Sequence, residues 1–303
     1  MSATTAPVAV RSRRSSYAVL RALTTAELRR SLRTPVLPAG AAAAVWYLWT
    51  ITPATEAWSG SAYNEMAIAS APLLAVISWA AARSFHRERT AVAVAAPVRE
   101  GIRAAARLLA ALPLIASTVG FAALVAWRQR ELGGLTLGAE PGRTTEALHS
   151  LPELAQHVAL GVLAVALGAA LGRRLPRLVL ALPALLVLWF TVSGLYWLFG
   201  SRQVTPFSVV QVQPIAVPVG DATADPLSFP ATWLLEGPGD FRDGWARLFV
   251  STELAWWHCG WLMGLSAVLL AVAVPAGTAR RVLLLGGAAL AVAAAVVQVQ
   301  VIP

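Results

Sequence analysis

Seven apolar stretches, each about 17 to 23 residues long, decide the class of this chain. They fall at 36–52, 66–82, 108–127, 154–172, 178–199, 254–276 and 282–302. A helix rising about 1.5 Å per residue crosses a hydrocarbon core of about 30 Å with runs of this length. Inside a bilayer, only helices and closed barrels satisfy their own backbone hydrogen bonds. The expected fold is an all-α polytopic membrane protein with six core transmembrane helices and a seventh candidate at 282–302. That last segment has the alternative of lying along the membrane or against the bundle. Composition agrees: 57% of residues are hydrophobic and 13% charged. No polar stretch is long enough to fold alone, so 35–303 reads as one transmembrane domain.

The formal charge of +9 would point to nucleic acid on a soluble surface. Here it is sorted by segment. With the N-terminus inside, the four inner segments carry 18 arginines and three carboxylates. The outer segments carry six arginines (Arg128, Arg130, Arg143, Arg202, Arg242 and Arg247) and twelve carboxylates. Such a bias predicts a plasma-membrane protein with a cytoplasmic N-terminus and no nucleic-acid partner. Trp46, Trp49, Trp58, Trp127, Trp197, Trp256 and Trp257 fall near the expected outer ends as an aromatic belt.

All 24 basic residues are arginine. Without lysine the chain cannot contain a phosphate-binding P-loop, which places a lysine on the β- and γ-phosphates. Schiff-base chemistry is excluded too. If ATP drives this protein, another polypeptide binds it. The single cysteine, Cys259, rules out an internal disulfide and reads as a packing residue.

Residues 1–15 read as a disordered tail. Ser12-Arg13-Arg14 is no export signal, because Arg21, Glu27, Arg29 and Arg30 interrupt the apolar core it would need. Residues 16–34 read as a basic amphipathic helix at the inner interface, with a solvated linker as the alternative. Thr24 and Glu27 form a capping box that would restart this helix midway. Between the second and third stretches, six arginines (Arg83, Arg87, Arg89, Arg99, Arg103 and Arg107) accompany Glu88 and Glu100. Arg99, Arg103 and Arg107 recur every four residues and would share one helical face, with Pro97 placed to start that helix. The loop predicts a surface on which a partner protein can push.

Other candidate chemistry has simpler readings. His149, Glu153 and His157 have metal-ligand spacing, yet Ser150, Pro152 and Glu153 already compose a capping box opening the fourth span. His258 among Trp256, Trp257 and Trp261 reads as interfacial, with a role in contacting substrate as the alternative, and His86 as a loop residue. Gly168-x-x-x-Gly172 and Gly260-x-x-x-Gly264 permit close helix crossing. Six prolines among apolar residues prevent 200–253 from being a spanning helix, and the segment is expected to fold back onto the outer mouth or dip into it. The spans carry essentially no Asp, Glu or Arg. Polar groups such as Ser117, Thr118, Thr191 and Ser193 can bond to backbone, so neither an ion-coupled carrier nor a membrane-embedded enzyme is indicated.

Three motifs carry a resemblance. They are E-L-R-R-x-x-R-x-P at Glu27–Pro35, R-E-R-T at Arg87–Thr90, and A-P-V-R-E followed by R-L-L-A at Ala96–Glu100 and Arg107–Ala110. Together with the topology from about 16 to 276, they resemble the permease subunits of ABC-2-type transporters, especially actinobacterial ones. Arg89 stands where that family has glycine, and Arg107 where it has lysine. The resemblance implies an elbow helix bearing Glu27, Arg29, Arg30 and Arg33. It also implies a coupling helix at Arg87, Glu88, Arg89, Thr90, Pro97, Arg99, Glu100, Arg103 and Arg107. The partners implied are a separate ATPase subunit binding ATP and Mg, a second permease chain and the lipid bilayer, with no cofactor on this chain. The function implied is export of a hydrophobic or amphiphilic compound. The alternative is a scaffold subunit that binds partners through the same loop and transports nothing.

Overall fold

A computed structural model describes residues 13–52, 61–89, 98–136, 146–199, 205–210, 212–238 and 243–303. The expected disordered tail therefore lies, through residue 12, outside the described residues. Helix α1 (Arg13–Leu32) runs unbroken, and the expected restart at Thr24 does not occur. Thr24 instead donates its hydroxyl to the Leu20 carbonyl at 2.9 Å, and Glu27 is drawn into tertiary contacts.

The first apolar stretch forms α2 (Val36–Thr50), a helix of 15 residues that is short for a bilayer. The second divides into α3 (Ser61–Ile68) and α4 (Ala71–His86). Pro72 sits in the first turn of α4, where its missing N–H cannot continue the preceding helix. The next helix, α5 (Glu100–Glu131), is 32 residues long with Pro113 inside it. It is followed by α6 (Leu151–Arg174), α7 (Ala181–Phe199), α8 (Thr252–Ala273) and α9 (Thr278–Val301). Among the described residues, five helical segments are long and apolar enough to cross a membrane: Ala62–His86, α5, α6, α8 and α9. Val36–Thr50 and Leu178–Trp189 are shorter apolar helices. The chain is a helical membrane protein. Its exterior suits hydrocarbon, since Val187, Val282, Leu285 and Val292 are all more than 60% exposed.

Helix α6 lies at the centre, against α4, α5 and α8, while α9 packs on α8, α2 on α4, and α1 along α5. Small residues bring the backbones together. A Cβ on Gly168 or Gly172 would run into the carbonyls of Ser78 and Ala82, so α4 and α6 cross in direct backbone contact. Gly264 meets Gly287 and Ala291 of α9 in the same way, whereas a Cβ on Gly260 would be 3.7 Å from Ala294. The α8–α9 turn needs Gly277, whose φ of +151° favours a residue without a Cβ.

The all-α expectation is corrected in the 200–253 segment. There β3 (Ile215–Asp221), β4 (Leu234–Glu236) and β5 (Gly244–Phe249) build an antiparallel sheet of order β3-β5-β4. Ile215 pairs with Phe249, Val217 with Arg247, and Leu235 with Arg247 from the other side. Pro218 lacks an N–H for the ladder, and the register shifts between Pro218 and Gly220 on this edge strand. A two-residue pairing of β1 (Leu135–Thr136) with β2 (Glu146–Ala147) precedes α6. Val209, Val210 and Leu248 pack into the main core, so the 200–253 segment closes over one end of the bundle. That end carries most of the acidic residues, and the opposite end most of the arginines.

Candidate functional site

At the basic end, α1, the end of α4, the 3-10 turn Arg87–Arg89, the start of α5 and the end of α6 converge. Three carboxylates organise them. Glu27 accepts from Arg87, from Arg30 at 3.3 Å and from the Ser84 hydroxyl at 3.2 Å, with Arg107 at 4.0 Å. Glu88, whose side chain is only 2% exposed, accepts from Arg103 Nε at 3.0 Å and Nη2 at 2.9 Å. It also accepts from Arg107, while Arg173 approaches to 3.9 Å. Glu100 pairs with Arg173. The buried Arg107 guanidinium lies over the Phe85 ring at 5.9 Å.

Burial alone would raise the pKa of Glu88, but hydrogen bonds and charge from Arg103 and Arg107 outweigh it and hold the carboxyl below its ordinary value. Burial lowers the pKa of Arg87, against the pull of Glu27.

The residues expected to meet a partner thus divide. Glu27, Arg87, Glu88, Arg103 and Arg107 form an internal clamp. Arg29, Arg33 and Arg99 face outward, and Arg30 is exposed while touching Glu27. Arg99 is the residue before the first turn of α5. Arg89 lies in the 3-10 turn, while Thr90 and Pro97 lie outside the described residues. Arg173 was not singled out from the sequence. Its signal was its place at the end of the fourth span, on the arginine-rich side.

The opposite end holds a second buried polar cluster. The Ser150–Glu153 capping box forms as expected, with the Ser150 N–H donating to Glu153 at 2.7 Å. Glu153 also accepts from the Tyr63 hydroxyl. His157 lies 3.0 Å from Ser70 Oγ, and the His149 N–H donates to Gln129 at 2.9 Å. Tyr63, His149, Glu153, Gln156 and His157 line a cavity with room for about one water. No group of three metal-ligating side chains occurs among the described residues. His258 is not interfacial: it is fully buried, 3.1 Å from Gln298 and 3.3 Å from the Val209 carbonyl. Cys259 is buried beside the Pro152 carbonyl. Ser117 and Thr118 bond to the Leu114 and Ile115 carbonyls within their own helix.

No family model matches the chain, and neither a curated protein nor a solved structure does.

Proposed function

We propose that this chain is the membrane-spanning permease subunit of an ATP-binding-cassette transporter of the ABC-2 type. In this reading it sits in the plasma membrane with its basic end in the cytoplasm. It pairs with a second permease chain and is driven by ATP and Mg on a separate ATPase subunit. The cargo is a hydrophobic or amphiphilic compound carried outward. The observation that carries the reading is the clamp. Glu27, Glu88 and Glu100 tie α1, the α4–α5 turn and the end of α6 into one charged unit, with Arg99 left facing out beside it. A push on that turn passes through Glu88, Glu100 and Arg173 to α6, the helix on which α4, α5 and α8 all pack.

The test is Arg99→Glu in the full chain, co-expressed with the P-loop ATPase that this reading requires. The variant is expected to abolish transport-stimulated ATP hydrolysis while leaving the unfolding temperature unchanged, because Arg99 is exposed. Undiminished stimulation, or a chain that purifies without any ATPase, would overturn the proposal.

A further inference from the structure

A cleft of about 500 Å³ opens between the end of α1 and the basic half of α4. Arg30, Arg33, Arg83 and Arg87 line it, together with Trp79 and Pro35. Its volume falls in the range of small-ligand sites, roughly 300–1,000 Å³. The clamp leaves its charge unbalanced. Glu27 is the carboxylate within reach, and it is shared among Arg30, Arg87 and Arg107. Arg33 and Arg83 are exposed and have no acidic partner among the described residues. The neighbouring segments 1–12 and 90–97 contain no Asp or Glu. The Arg33 and Arg83 guanidiniums are free to take an anion from outside the chain, and their planar fork matches phosphate oxygens two at a time.

The cleft's second property decides what carries that phosphate. It lies where α1 gives way to the apolar helix α2 and where α4 leaves its apolar portion. Trp79 and Pro35 form an apolar wall, and Leu32 and Val36, next to lining residues in the chain, are 60% and 39% exposed. A ligand filling the site presents phosphate at the level of the arginines and hydrocarbon along Trp79 and Pro35. Basic pockets between membrane helices recognise lipid head groups in this manner.

We infer that the cleft binds the phosphate of an anionic phospholipid, with Arg33 and Arg83 as its principal contacts and an acyl chain against Trp79. The site requires only that the chain be embedded in a membrane, and it stands whether or not the chain transports anything.

Native mass spectrometry of the purified full chain tests it, titrating phosphatidylglycerol against phosphatidylcholine and inorganic phosphate. Phosphatidylglycerol should bind selectively. Arg33→Gln with Arg83→Gln should weaken it roughly 30-fold, as loss of two interfacial arginines implies. Arg280→Gln with Arg281→Gln, an equal charge loss at the α8–α9 turn, should leave binding unchanged. Equal loss in both double variants, equal binding of phosphatidylcholine, or displacement by inorganic phosphate at matching concentration would each overturn the inference. Should the Arg33/Arg83 variant fail to fold, a phosphatidylglycerol photolabelled on its acyl chain is applied to the unaltered protein. Labels at 30–36 and 79–87 support the site, and labels confined elsewhere refute it.

Discussion

The two ends of the bundle bury polar groups by different means. At the basic end, Glu27 and Glu88 each meet two or more guanidiniums, and buried charge is offset by opposite charge. At the acidic end, the Tyr63, Ser70, His149 and His157 cluster relies on neutral donors around the single carboxylate Glu153. The contrast follows from supply. Three carboxylates serve a large excess of arginines among the described residues of the basic end, so each carboxylate becomes a hub. The lesson is an asymmetry of tolerance: each glutamate gathers several guanidiniums, so losing one glutamate unsettles more contacts than losing one arginine.

The sharpest way to break the contrast is Glu88→Gln. It leaves the buried Arg107 with only the more distant Glu27, at 4.0 Å, and breaking a buried pair from one side costs about 3–5 kcal/mol. Chemical unfolding in detergent measures this, and a loss under about 1 kcal/mol would make the clamp no stronger than a surface pair.

Acid should strip the two ends in sequence. Burial holds the His149 imidazole below its ordinary value of 6.5, against the opposing pull of Glu153 and Tyr63. As pH falls through that value, the unfolded chain takes up a proton that the folded chain refuses, and stability declines. Glu88, facing Arg103, Arg107 and Arg173, is held below the ordinary 4.5. Its contribution is therefore intact above that pH and lost as pH drops further. Unfolding temperature against pH should show two steps, the upper made smaller by His149→Gln, since His157 and His258 are buried as well, and the lower removed by Glu88→Gln. A single step shared by both variants would mean that the two ends respond as one.

The smallest effect belongs to Tyr63→Phe, about 1 kcal/mol, because Ser150 still donates to Glu153. A cost matching that of Glu88→Gln would erase the distinction between neutral and charged burial.

Features confined to one stretch of chain were legible in the sequence. The Ser150–Glu153 box, the small residues Gly168 and Gly172, and the helical spacing of Arg103 and Arg107 need only local periodicity to be read. The pairing of Glu27 with Arg87, 60 positions apart, leaves no such trace. The scarcity of carboxylates at that end was the available clue. The β3–β5 sheet was hidden for the same reason, since Ile215 finds Phe249 across a proline-rich connection. His258 was misplaced because its partner, Gln298, belongs to a different helix.

Helix α5 has one further consequence. Arg107 is fastened at one end of it to Glu88, and Arg128 at the other to the Ile51 carbonyl at 3.3 Å. At 1.5 Å per residue these two anchors stand about 32 Å apart, close to the thickness of a hydrocarbon core. The helix acts as a gauge rod, and a thinner or thicker bilayer must deform around it or tip it, straining both anchors at once.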